Sequence, residues 1–150
     1  MSANKYELSQ QICFSFYSVN RLFNKFYQQA LNDFQLTYTQ YLVLVSLWEK
    51  EQLSLRDLCT ELGLASNTLT PLLKRLEEKN LIVREVPAEN KRILLVSLTT
   101  QGKNLHNEVE KSLMSCFTQL QILDKEKVEH IVANNNELIA ALTKFTEEKK

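Results

Sequence analysis

Three observations predict a mainly helical chain carrying one small β-hairpin. Only two glycines and two prolines occur in 150 residues, so few positions break a helix. Apolar residues recur at three-to-four spacing through most of the chain. Two runs rich in branched residues, LIVREV and RILLVSL, flank the polar PAENK, the pattern of paired strands with an extended tip.

Taken in order, residues 6 to 30 place Leu8, Ile12, Phe16, Val19, Phe23 and Phe26 on one helical stripe. A second helix is expected from Thr39 through Trp48. In QLSLRDLCTELG, Ser54 has Asp57 three residues on, a capping pair, and Leu55, Leu58, Cys59 and Leu62 form an inward stripe that stops at Gly63. A helix of about two turns follows from that spacing. The next helix starts near Ala65 or Ser66 and aligns Leu69, Leu72, Leu73 and Leu76, with Asn67, Thr70, Pro71 and Lys74 on its other face. Pro71 removes one backbone hydrogen bond, which is read either as a bend with a function or as a tolerated irregularity. After the hairpin, helices run from Thr99 and Gly102 through Leu120, and from Asp124 through Phe145. One domain over residues 1–150 is expected, since a chain of this length with 44% hydrophobic residues builds one core.

Eighteen basic residues balance eighteen acidic ones, so any basic binding surface is local. No apolar run approaches the roughly 18 residues of a membrane span, and MSANKYELSQ lacks the apolar core of a signal peptide. A cytoplasmic protein without membrane contact is the expectation. Cys13, Cys59 and Cys116 are odd in number and widely separated, which argues against a disulfide framework and against a metal site of the C-x-x-C kind. Neither metal nor cofactor is expected.

Two short helices joined by a glycine turn and followed by a polar-tipped hairpin make a winged helix-turn-helix, whose second helix enters the major groove of DNA. Ser66, Asn67, Thr68 and Thr70 cluster at the start of that helix, where free N–H groups favour phosphate, and Lys74 and Arg75 follow. Between residues 65 and 92 the basic side chains are Lys74, Arg75, Lys79, Arg84, Lys91 and Arg92, against Glu77, Glu78, Glu85 and Glu89. That excess is small, so the arrangement carries the inference and the charge does not.

The runs LTYTQYLVLVSLWE (36–49), LSLRDLCTELGLASNTLTPLLKRLEEKNLIVRE (53–85) and NKRILLVSLTTQG (90–102) resemble the MarR family of dimeric winged-helix repressors. Among these, the organic hydroperoxide resistance regulators are most similar, and their block GTLTPLLKRLE stands here as NTLTPLLKRLE. The resemblance covers nearly the whole chain. It implies a homodimer held by helices at about 5–35 and 100–148, a winged helix-turn-helix at about 37–99, and a pseudo-palindromic double-stranded operator. It assigns DNA contacts to Ser66, Asn67, Thr68, Thr70, Lys74 and Arg75, and the wing-tip arginine to Arg92. Where that family carries D-x-R, this chain has Asn90, so an ionic brace becomes at most a neutral hydrogen bond while Lys91 adds charge at the tip.

A cysteine on an apolar helical stripe is ordinarily an inert packing thiol, and Cys59 between leucines is read that way. The resemblance implies a different role for Cys13, a sensing thiolate bonded by two tyrosine hydroxyls of the other subunit, for which Tyr27 and Tyr38 stand at the matching positions. Phenol donors stabilise a thiolate, the species that attacks a peroxide. Cys116 fits the resolving cysteine of the two-cysteine members. Oxidation by an organic hydroperoxide or another oxidant then leads either to a Cys13–Cys116 intersubunit disulfide or to a mixed disulfide with a small thiol. An enzyme is not expected: the only histidines are His106 and His130, both in the C-terminal helices. The nearer alternative is a repressor released by a small aromatic ligand.

Overall fold

The computed structural model describes residues 7–8, 11–121 and 124–148. Helix α1 (Ile12–Leu31) leads through a single 3-10 turn (Asn32–Phe34) into α2 (Tyr38–Lys50). Strand β1 (Gln52–Ser54), α3 (Leu55–Leu62), α4 (Ser66–Glu78), β2 (Ile82–Glu85) and β3 (Leu95–Leu98) follow, then α5 (Thr100–Leu120) and α6 (Lys125–Glu147). By packing, the chain divides into Met1–Leu113 and Met114–Lys150. No helix among the described residues is long and apolar enough to cross a membrane.

The helix boundaries follow local chemistry. Both α2 and α3 open on reciprocal capping boxes, Thr37 with Gln40 and Ser54 with Asp57, each satisfying two N–H groups that a helix start leaves without partners. Ser54 Oγ accepts from Asp57 N at 3.1 Å and donates to the Asp57 carboxylate at 2.6 Å. That bond is the first reason the Asp57 carboxyl is held below its ordinary range. Gly63 closes α3 in the left-handed region at φ 63°, where a side chain would be strained. Asp124 caps α6 by accepting from Lys127 N at 2.8 Å.

Two expected boundaries shift. The first helix begins at Ile12 rather than near residue 6, because Gln11 has an extended backbone (φ −81°, ψ 123°), and Leu8 falls outside the helix. The second branched run pairs only from Leu95, since Asn90 to Ile93 are drawn into a turn in which Ile93 N bonds Asn90 O at 3.2 Å. The hairpin also gains a third strand. The order is β1-β3-β2, all antiparallel, with Leu53 opposite Val96 and Arg84 opposite Val96 on the other side.

The core of the first unit joins Leu44 and Leu47 of α2, Leu58 of α3, Leu69, Leu73 and Leu76 of α4, and Val96 of β3, all at 0% exposure. Each such side chain contributes about 1.5–3 kcal/mol relative to exposure. Gly102, near the start of α5, lets that helix approach the end of α4. A Cβ there would lie 2.0 Å from the Leu81 carbonyl oxygen, which already accepts from Thr99 N at 3.1 Å. The Gly102 carbonyl in turn accepts the Trp48 indole N–H at 2.9 Å.

Candidate functional site

Helix α4 divides cleanly. Its leucines face inward, while Ser66, Asn67, Thr68, Thr70, Lys74 and Arg75 are all exposed, as close approach to a polymer surface requires. Ala65 caps the helix without a side-chain bond, so the first turn keeps N–H groups available. Pro71 sits inside the continuous helix on the exposed side, where the carbonyl of Asn67 loses its usual donor. Thr70 Oγ donates to the Ser66 carbonyl at 2.7 Å.

The charge distribution is narrower than the residue count suggests. Arg84 donates through Nε (2.9 Å) and Nη2 (2.6 Å) to the Glu77 carboxylate, whose other oxygen accepts from Arg84 N at 3.1 Å. Arg84 is therefore a brace between β2 and α4, and its bond is the leading cause that holds the Glu77 carboxyl below its ordinary value. Lys79 donates to the Gln35 carbonyl, and burial pulls its ammonium below the usual lysine range with Arg75 adding to the effect. Lys91 and Arg92 are exposed at the wing tip. The neutral bond at Asn90 is present, but Asn90 Oδ1 accepts from the Arg92 backbone N–H at 3.1 Å rather than from its guanidinium. It shapes the turn and leaves the Arg92 side chain outward.

Cys13 is exposed one residue into α1, Cys59 and Cys116 are half-buried, and all three are thiols. Fourteen helical residues separate Cys13 from Tyr27, about 21 Å along the axis at 1.5 Å per residue. The Tyr27 hydroxyl of the same chain therefore cannot reach its sulfur. Tyr27 packs instead against Tyr38, with ring centroids 4.3 Å apart, and both stand near Tyr41 at 5.8 and 6.3 Å. The third tyrosine was not singled out in the sequence, although Tyr38 and Tyr41 are spaced i, i+3 on one helix, a legible same-face signal. Burial, with the neighbouring Tyr38 and Tyr41 adding to it, pushes the Tyr27 phenol up to about 12, and burial raises Tyr38 too. Both hydroxyls stay protonated near neutral pH, which is the form that donates.

Capped helix, glycine turn, exposed polar helix and braced wing define a winged-helix regulator of the MarR type. The fold is shared with a mutant MarR from E. coli, 21% identical at a TM-score of 0.69, over 86% of this chain and 96% of that one. More particularly, the chain belongs to the SarA/Rot family of transcriptional regulators, whose model matches residues 25–109. The HTH-type transcriptional regulator SarZ of Staphylococcus epidermidis is 39% identical over 119 residues, 79% of this chain and 80% of that protein. The structure of reduced AbfR bound to DNA is 38% identical at a TM-score of 0.78, covering 91% of this chain and 94% of that one. AbfR, also solved from S. epidermidis, is known in a disulfide-formed state as well, with a TM-score of 0.67 at 38% identity over 93% of this chain and 92% of that one. The family and SarZ are described as transcriptional regulators.

Proposed function

We propose that the protein is a cytoplasmic, homodimeric, sequence-specific repressor that binds a pseudo-palindromic operator and is released from it by oxidation of Cys13. In this reading Ser66, Asn67, Thr68, Thr70, Lys74 and Arg75 meet one major groove per protomer, and Lys91 and Arg92 meet the backbone or minor groove beside it. Tyr27 and Tyr38 donate to the Cys13 thiolate of the partner subunit, since a phenol of the same helix is too far away. The thiolate attacks the terminal oxygen of an organic hydroperoxide; the O–O bond breaks, the thiolate becomes a sulfenic acid, and with one proton taken up the peroxide leaves as an alcohol. The thiol of Cys116 of the partner subunit then displaces hydroxide from that sulfur, forming the disulfide and, with the thiol proton, water.

The observation that carries this reading is the 38% identity to AbfR, solved reduced on DNA and with a disulfide formed. The test is a gel-shift assay on the protein's own upstream DNA, with and without cumene hydroperoxide, followed by non-reducing electrophoresis. Release by peroxide should disappear in Cys13→Ser, and the covalent dimer should disappear in Cys116→Ser. Binding that ignores peroxide while a small aromatic acid abolishes it would replace redox control by ligand control.

A further inference from the structure

Three phenols gather where α1 meets the start of α2. Tyr27 faces Tyr38 at a centroid distance of 4.3 Å with the ring planes 35° apart, closer than the roughly 4.5–7 Å of ordinary aromatic pairs. Tyr41 stands 5.8 Å from Tyr27 and 6.3 Å from Tyr38. All three are half-buried, so a small molecule reaches them while the two helices hold the rings in place. Spacing ranks the pairs, and Tyr27 with Tyr38 is the nearest.

That proximity has a chemical use. A phenol that keeps its proton yields a hydrogen atom to a one-electron oxidant and becomes a tyrosyl radical. Two such radicals combine, and holding them in contact makes the union effectively unimolecular.

We propose that Tyr27 and Tyr38 form a modification site, at which alkoxyl radicals, the one-electron reduction products of organic hydroperoxides, generate a carbon–carbon bond between the two rings. Each phenol gives one hydrogen atom to one alkoxyl radical, which leaves as an alcohol. The two tyrosyl radicals pair their electrons in one bond between carbons ortho to oxygen, and the hydrogens at those carbons shift to the oxygens, restoring two phenols. A radical formed first at Tyr41 regains its hydrogen from a neighbouring phenol and so moves to the nearest pair. The product ties α1 to α2 within one chain.

The outcome differs in kind from thiol oxidation. A sulfenic acid or a disulfide is reversed by thiols, whereas a carbon–carbon bond is not, so the pair keeps a permanent record of one-electron damage. Joined rings no longer turn independently toward the Cys13 thiolate of the partner subunit, which ends sensing at that site. This consequence rests on the proposed redox control; the bond itself does not.

The experiment treats the reduced full-length protein with cumene hydroperoxide and ferrous ion, which together yield the cumyloxyl radical, and separately with cumene hydroperoxide alone. Blue dityrosine fluorescence under near-ultraviolet excitation should rise only with iron. No lysine or arginine lies between Lys25 and Lys50, so trypsin leaves both tyrosines in one peptide, and further cleavage before Asp33 separates them. After treatment the two fragments should stay joined, at the sum of their masses less two hydrogens. Tyr27→Phe and Tyr38→Phe, which keep the ring shape, should each lose the fluorescence, whereas Tyr41→Phe should retain it, with circular dichroism checking the fold. Cys13→Ser should retain it as well, so that failure of redox control in the gel-shift assay and failure of the cross-link are separate results. No fluorescence with iron, a signal that survives in Tyr27→Phe, a bond mapped to Tyr41, or fluorescence confined to covalent dimers overturns the assignment.

Discussion

The winged-helix body and the last helix solve the burial problem in opposite ways. In the body, Leu69, Leu73 and Leu76 are sealed at 0% exposure against α2, α3 and the sheet. In α6, 23 residues long, not one residue is buried, and Val128, Ile131, Ile139, Leu142 and Phe145 are 42–59% exposed. A helix polar all round would need no partner, but this one carries an apolar stripe that water disfavours. Helix α1 shares the trait at Ile12, Phe16, Val19 and Leu22. The difference separates apolar surface that the chain covers by itself from apolar stripes that stay exposed in the single chain, and the proposed homodimer would use the latter.

The largest effects should fall on the body. Leu73→Ala empties a sealed position and should lower stability by about 3 kcal/mol, read as a fall in the urea midpoint. The same truncation at Leu142 should alter protein-intrinsic stability by no more than about 0.5 kcal/mol while weakening self-association, so that analytical ultracentrifugation shows more monomer. If Leu142→Ala leaves the association unchanged and costs as much as Leu73→Ala, the contrast between the two regions is lost.

Gly102→Ala tests the seam at which α5 meets the body. Alanine should gain up to about 1 kcal/mol of helix propensity, yet its Cβ would press on the Leu81 carbonyl, a backbone atom with no rotamer to yield. A net loss of about 2 kcal/mol is expected, with the Trp48 emission shifting because its indole bonds the Gly102 carbonyl. A stabilised Gly102→Ala variant would mean that α5 can lift from Leu81 at little cost.

What the sequence disclosed divides along the same line. The Ser54 and Asp57 pair, Gly63 and Asp124 act within a few residues of themselves, so capping and termination were readable directly. The leucine stripe of α4 was equally legible, because 3.6 residues per turn relate its members. Strand β1 was not: three residues give no alternation, and its strand state depends on β3, more than forty positions away. The seat of Gly102 against Leu81, the Arg84 brace and the inclusion of Tyr41 with Tyr27 and Tyr38 likewise depend on which elements meet in space. In the candidate site, exposure of the α4 polar side chains matches their helical phase. The reach from Cys13 to a phenol is a matter of distance along α1, which became an argument only once that helix was continuous from Ile12 to Leu31.

The smallest expected effect is at the wing, the least buried part of the body. Glu77→Gln removes the charge and one of the two acceptor oxygens that hold Arg84, a partly exposed pair, so the loss should stay under about 1 kcal/mol. Its pH dependence is the sharper readout. The Glu77 carboxyl is held below its unfolded value of about 4.3, so its contribution is complete above that pH and is lost as pH falls through the lower folded value. The unaltered protein should therefore lose stability below about pH 4 more steeply than Glu77→Gln, in paired denaturation series at pH 3 to 7. Because Arg84 also fixes β2 against α4, the variant should loosen DNA binding to a lesser extent than Arg75→Gln. Equal losses would make the brace part of the DNA contact itself, and would move Arg84 from the supporting scaffold to the interface.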